Sequence, residues 1–214
     1  ITSLRIPGLQ SGASDGQVLT YNSTNGNITL ADASGGGGGL SEFVESQETA
    51  SPNDSKPVDA LTATDSAETN IDVAFVAKGN GATLAQVPDA TTAGGNKRGQ
   101  YATDFQKIRN NAAQVAGSSY SVICGGENNK ITGPYASIVG GKFNTAGTGY
   151  YSMAGGENTS SSGFHAFVYG YGCGSSGSRG FKGGGFSGSA NATDAASLGG
   201  YIVQAVATEA IALG

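Results

Sequence analysis

Apolar and polar positions alternate differently in successive parts of the chain. Near the N-terminus two short apolar runs, Val18-Leu19-Thr20-Tyr21 and Ile28-Thr29-Leu30, flank Asn22-Ser23-Thr24-Asn25-Gly26. Asn-Gly between alternating runs predicts a hairpin. Gly35 to Gly39 follow without side chains, which predicts a flexible joint, either a hinge or a passive tether. Residues 40–72 have no clear period and read as loop or weak edge structure. Alternation returns at Ile71-Asp72-Val73-Ala74-Phe75-Val76, a strand with Ile71, Val73 and Phe75 on one face. A turn at Gly79-Asn80-Gly81, a second strand up to Val87-Pro88 and a loop at Gly94–Gly99 complete this part.

The pattern then changes to a helical period. Tyr101, Phe105, Ile108, Ala112 and Val115 are spaced by 4, 3, 4 and 3 residues, the apolar stripe of an amphipathic helix. Thr103 or Asp104 stands near its expected start and Gly117 is placed to end it. One helix of about four turns cannot bury such a stripe alone. The stripe is therefore expected to meet its own domain or copies of itself, as the neck of an assembly over 101–117.

From Tyr120 the chain repeats. Gly125, Gly140, Gly155 and Gly170 are each 15 residues apart. Each follows an aromatic residue, small residues and an apolar one, as in Tyr135-Ala136-Ser137-Ile138-Val139. A second glycine follows at Gly126, Gly141 and Gly156, and asparagine recurs at Asn129 and Asn144. A period this short suits one coil of a parallel β-solenoid, with glycines at the corners and coils stacked about 4.8 Å apart. Alternation predicts Ile123, Ile138, Met153 and Val168 in a narrow interior. So thin a core buries little area, and association of several chains is the expected remedy.

Composition agrees with this picture. Of 214 residues 37 are glycine, only 13% are charged and tryptophan is absent. An ordinary compact core is thereby disfavoured, and glycines without a three-residue period exclude collagen. The net charge is −5, concentrated between Glu42 and Asp72, where Lys56 is the lone base. No basic patch points to nucleic acid, and no run of 18 apolar residues spans a membrane. The chain begins at Ile1 and stops in mid-pattern at Gly214, so it is expected to be part of a longer polypeptide.

The blocks Ser137-Ile138-Val139-Gly140-Gly141, Ser152-Met153-Ala154-Gly155-Gly156 and Ala210-Ile211-Ala212-Leu213-Gly214 resemble the head repeats of YadA-type trimeric adhesins. That resemblance implies a left-handed parallel β-roll, three of which associate side by side. The same repeats resemble those of bacteriophage fibres. There the stretch from Gly79-Asn80-Gly81-Ala82 through Gly94-Gly95-Asn96-Lys97-Arg98-Gly99 is similar to a module preceding the repeats, and Gly16–Tyr21 is similar to connector segments. Tyr171 departs from the pattern in replacing a second glycine, and 172–188 lacks a counterpart, so an interruption of the roll is expected there.

Signals for chemistry are sparse. Gly172-Cys173-Gly174-Ser175-Ser176-Gly177 fits GxGxxG, but no strand and helix are readable around it, as dinucleotide binding needs. His165 is the sole histidine and fills the aromatic slot; with two distant cysteines it makes no zinc site. No cofactor is expected. Glu127 and Glu157 occupy the same slot two coils apart, roughly 10 Å by strand spacing, near the separation of an inverting glycosidase pair; recurrence of a surface polar slot explains them better. Cys124 and Cys173 are about three coils apart, too far for a disulfide, and Cys124 is expected inside. Asn-x-Ser/Thr sequons at Asn22, Asn27, Asn53, Asn158 and Asn191 are expected by chance. Tyr150, Tyr151, Phe164, Phe167, Tyr169 and Tyr171 cluster in the third and fourth coils. They suit either a sugar-stacking or receptor surface or packing between subunits.

The expected fold is mainly β: an N-terminal hairpin module (1–34), a glycine hinge (35–39), an acidic loop and β connector (40–100), one helix (101–117) and a trimeric β-roll (118–214). The expected function is a non-enzymatic homotrimeric fibre segment on the outside of a phage virion. Its expected partners are itself, other virion proteins through the N-terminal module, and a host surface glycan or protein. A bacterial surface adhesin and a tailspike depolymerase are the alternatives.

Overall fold

The computed structural model describes residues 17–21, 28–32, 43–50, 55–56, 58–63, 70 and 72–214, in two units, Ile1–Ala74 and Phe75–Gly214. The first holds two antiparallel pairs. Gln17–Tyr21 pairs with Ile28–Asp32, and Phe43–Glu48 pairs with Val58–Ala63. The second pair lies in the acidic stretch that sequence assigns to loop or weak edge structure. Its strands carry Glu45, Glu48 and Asp59, which hide the apolar period, while Gln47 donates to Asp59 across the ladder at 2.8 Å. The joint at Gly35–Gly39 lies outside the described residues.

The second unit is a parallel β-solenoid of about seven turns. Nine strands form one sheet, in the order Thr83–Leu84, Thr103–Asp104, Val122–Ile123, Ser137–Ile138, Met153–Glu157, Phe167–Tyr171, Phe181–Phe186, Ala196–Leu198 and Ile211–Leu213. Six form the other: Lys130–Ile131, Thr145–Ala146, Ser160–Ser161, Gly174–Ser175, Ser189–Ala190 and Gln204–Ala205. Residues 172–188 run through both sheets, with one register shift where Phe186 comes opposite Tyr171. Glycine and serine carry most of this coil because the ladder is backbone, while Cys173 and Lys182 fill its interior.

That interior consists of stacked columns. One runs Ala102, Ser121, Ala136, Ser152, Ala166, Gly180 and Ala195, all buried at a sharp corner where nothing larger fits. A second runs Asp104, Ile123, Ile138, Ala154, Val168, Lys182 and Ser197. Ile123, Ile138 and Val168 are therefore inside, but Met153 is not: it is 36% exposed and Ala154 takes the place. The corner from Gly147 to Tyr151 holds one residue more than that from Thr132 to Tyr135, which moves Met153 into register with Ser137 and Phe167. The strand Met153–Glu157 then reaches the next corner with one residue fewer. Gly155 lines up with Tyr169 on the outer face, and Gly156 is the corner glycine. The repeat of 15 residues survives in the sequence because the two irregularities cancel.

A third column is polar. Asn129 and Asn144 are fully buried. Each Nδ2 donates to two glycine carbonyls, those of Gly125 and Gly141 for Asn129, and of Gly140 and Gly156 for Asn144. Each Oδ1 accepts the backbone N–H one coil on, from Asn144 at 3.0 Å and from Thr159 at 3.0 Å. Every polar atom of these amides is engaged, so the desolvation cost of about 1–3 kcal/mol for an unpaired buried group does not arise. Gly126, Gly141 and Gly156 make room for this ladder. Gly141 has φ +90°, and a Cβ there would lie 1.9 Å from the Gly156 carbonyl oxygen.

Among the described residues there is no helix, so the reading of 101–117 is corrected. Ala102, Asp104 and Gln106 are buried while Tyr101, Phe105 and Lys107 are exposed, a period of two. Ile108 bridges Glu127, Ala112 sits half-buried in a turn, and Val115 is buried beside Gly95. The helical spacing misled because polar side chains occupy the interior here. Arg98, Asp104 and Arg109 form a cluster whose side chains are wholly inaccessible. Arg98 Nε donates to Asp104 Oδ2 at 2.7 Å, and Arg109 Nη2 lies 3.6 Å from the same oxygen. Burial, then the neighbouring Arg98, hold the Arg109 guanidinium below its ordinary value, and Asp104 opposes them. Residues 72–77 also differ from expectation. They form no strand, and Val73, Phe75 and Val76 are exposed, since this segment has no ladder partner among the described residues.

Gly141→Ala is expected to cost on the order of 3 kcal/mol, by strain at positive φ and collision with backbone. Asp104→Asn should cost about 3–5 kcal/mol by leaving two buried guanidinium groups without their carboxylate. Lys182, fully buried with one acceptor, the Gly199 carbonyl at 3.2 Å, should act oppositely: Lys182→Met stabilises by on the order of 1 kcal/mol or more. Urea unfolding of the variants checks all three.

Candidate functional site

Among the described residues of the solenoid the accessible side chains line the outer surface, and two geometric facts arrange that surface. First, alternation along each strand sends every second side chain outward. On the six-stranded sheet these are mostly polar or small: Lys130, Thr145, Ser160, Gly174, Ser189 and Gln204 in one column, with Thr132, Ser162, Ser176, Asn191 and the apolar Val206 beside it. Ser176 and Asn191 bond at 3.3 Å and Asn191 donates to Ser189 at 3.1 Å. The nine-stranded sheet presents the opposite character, with Phe105, Val139, Tyr169, Leu198 and Leu213 in one outward column and Met153, Phe167, Phe181 and Ile211 in the next. Val139 and Tyr169 are each 52% exposed. Cys124 is exposed in this apolar column and Cys173 is buried, both as free thiols, which reverses the expected placement of Cys124. Ile123 already takes the inward position, so its neighbour must point out.

Second, two corners of each coil require a left-handed backbone. One corner column is Tyr101, Tyr120, Tyr135, Tyr151, His165, Arg179, Asp194 and Glu209, with φ between 55° and 60°. Non-glycine residues lose about 1–2 kcal/mol each in this conformation. Stacking between coils offsets part of it. Tyr101–Tyr120 and Tyr120–Tyr135 rings lie 5.0 and 4.8 Å apart, Tyr135–Tyr151 5.1 Å and Tyr151–His165 5.0 Å. Such pairs contribute about 0.5–1.5 kcal/mol each beyond their burial. The backbone N–H of each corner residue also bonds to the coil before it, as Tyr135 does to Ser119 at 3.0 Å and Arg179 to Phe164 at 2.7 Å.

The six clustered aromatics are thus divided among three places. Tyr150, Tyr151 and Phe164 stand at the first corner, where the added residue doubles the ladder and Tyr150 stacks on Phe164 at 5.6 Å. Phe167 and Tyr169 belong to the apolar sheet face. Tyr171 begins a separate stack with Phe186 and Tyr201 at 4.9 and 5.0 Å. A ring sandwiched between two others offers only its edge to solvent, so most of the ladder has no face for a sugar.

The remaining sequence candidates fare as follows. Lys142 lies between Glu127 and Glu157 in one bridging column, 2.6 Å from Glu127. The hydrogen bond and charge of Glu127, with a smaller effect of Glu157, raise the lysine above its ordinary value. The two acids face a cation, not an open space for substrate. Gly172–Gly177 is a corner and a strand of the solenoid, without a helix. Among the described residues no three His, Cys, Asp or Glu side chains gather as metal ligands would. The buried Arg98–Asp104–Arg109 cluster and Lys182 had no sequence signal, because nothing in their spacing distinguishes them from surface charges.

Arg179 and Asp194 pair in the corner column beyond His165. The hydrogen bond from Arg179 holds the Asp194 carboxyl below its ordinary 3.8. Asp89 is likewise lowered, first by the Thr91 N–H and then by the Thr91 hydroxyl, in a loop closed by the Gly94 N–H. A carboxylate lowered on folding stabilises above its unfolded value and loses that contribution as pH falls through the folded one. The wild type should therefore lose thermal stability on acidification below pH 3.8, and an Asp89→Asn/Asp194→Asn variant should show a shallower loss when melting temperature is followed against pH. Compared with known protein families, curated proteins and solved structures, the chain matches none.

Proposed function

We propose that this chain is a segment of a homotrimeric bacteriophage virion fibre: a rigid, non-enzymatic spacer on the particle surface that carries contacts to the host. The observation that supports it is the unlike character of the two sheet faces. The interior is mostly alanine, serine and glycine, and so small a core buries little area. The outward columns through Val139 and Phe181 run along the nine-stranded sheet; Gly155 and Gly183 interrupt the first and Thr103 and Ser137 the second, yet from Phe105 to Leu213 every rung carries at least one apolar side chain. Copies related by rotation about an axis parallel to the solenoid share the same rise per coil. Each apolar rung of one copy then meets a rung of its neighbour at equal height, and the whole face is buried together. Three copies follow from the resemblance of the repeats to those of trimeric fibres and adhesins. A stack of hydrogen-bonded coils is stiff along its axis, as a spacer requires. Lys142 between the two acids favours a structural over a hydrolytic role.

Light scattering should give three times the 21.1 kDa of one chain. Val139→Asp with Leu198→Asp should dissociate it, and Cys124 should alkylate much faster in that variant than in the wild type. A wild-type monomer with an intact β spectrum overturns the assembly. Antibodies to residues 75–214 should label fibres on intact phage particles; labelling of a bacterial outer surface instead supports the adhesin.

A further inference from the structure

We infer that the end of the doubled aromatic ladder, at Phe164, is a saccharide-binding subsite that takes a pyranose ring through its C–H face. This rests on the fibre reading for its biological setting but not for its geometry. Inside a stack both faces of a ring are covered. Phe164 is covered on one side by Tyr150, at 5.6 Å and 7° from parallel. One coil further the same column holds Ser178, as shown by the bonds from Arg179 N–H to the Phe164 carbonyl and from Asp194 N–H to the Ser178 carbonyl. Among the described residues no second ring stacks on Phe164. The ladder thus stops over a small residue and leaves one flat aromatic face open towards a notch about one coil high, about 4.8 Å.

The rim of the notch decides what fits it. Ser178 and, a coil further, Thr193 supply hydroxyl groups in the same column. Beside them stand Arg179 and Asp194, paired with each other and both partly exposed. An aromatic platform with hydroxyl, guanidinium and carboxylate groups at its edge matches a ring that is apolar on one face and hydroxylated at its rim. Phe181 makes the contrast. It also ends a stack, with Phe167 at 5.1 Å and Ala196 one coil on. Its neighbours Leu198 and Ile211 are apolar, which suits another protein copy and not a sugar. A single open ring gives weak binding, on the order of 1 mM. Several copies in one particle would multiply it by avidity.

The experiment is saturation-transfer NMR on the intact chain, with the methyl glycosides of glucose, galactose, rhamnose and N-acetylglucosamine as probes. At least one probe should receive saturation, concentrated on its ring C–H hydrogens. Phe164→Ala should weaken that binding by about tenfold. Ser178→Leu, which lays an aliphatic side chain on the open face without removing a ring, should abolish it while leaving the melting temperature unchanged. Phe186→Ala, which removes a ring covered on both faces by Tyr171 and Tyr201, should have no effect. The proposal is overturned if no probe receives saturation, or if the signal survives Ser178→Leu. Light scattering on the same samples separates the two readings. A monomer that binds sugar overturns the fibre and keeps the subsite; a trimer that binds none does the reverse.

Discussion

Parallel hydrogen bonding of each coil to the one before it is the constraint on which the rest of the solenoid depends. It sets one rise per coil, about 4.8 Å, and so forces equivalent side chains into columns. A column can be filled only by residues that tolerate their own kind, or a complement, at that spacing. Stacked tyrosines satisfy this, as do interlocking asparagines and charges of alternating sign such as Glu127 and Lys142. The same bonds hold corner residues in a left-handed conformation that none would prefer alone. Strain at each corner is thereby shared with the neighbours above and below.

The interior shows how little of this depends on hydrophobic mass. Fully buried Asn129 and Asn144 are accommodated because the corner glycines present their carbonyls at the right height. Each amide is satisfied by its own coil and the next, so the column also sets their register. The buried Arg98–Asp104–Arg109 cluster does related work in the coil that contains Thr103–Asp104. Its guanidinium groups collect the carbonyls of Gly94, Asn96, Ala93 and Gln106, backbone acceptors that lack a ladder partner in this irregular segment. A polar core in which all but a few buried groups are paired, Arg98 Nη2 being one left without a partner, substitutes for the apolar volume that so narrow a coil cannot hold.

What remains for function is the outside, where the faces are unlike. The apolar sheet face extends over many coils and suits a surface of the same period, which another copy supplies. The aromatic corner is short and interrupted, and its open ring at Phe164 sits among hydroxyl and charged groups. Extent and neighbours, more than the presence of aromatic residues, assign the two surfaces different partners in the proposals made above.

Much of the architecture was legible in the chain itself. The 15-residue spacing of Gly125, Gly140, Gly155 and Gly170 pointed to a solenoid, since so short a period suits one coil, and the alternation around Ile123 and Ile138 placed them inside. Local pattern could not reveal the compensating irregularities that put Met153 outside and Ala154 in, because an insertion and a deletion in one coil leave the period intact. Nor could it show that Asp104 and Gln106 point inward. Polarity predicts exposure only where no buried partner waits, and the partners of Asp104 are brought to it by folding. Sequence by itself thus determined the repeat and its rise. The tertiary structure decided which residue of each coil faces inward and which ring is left uncovered, because both depend on what the adjacent coil places at the same height.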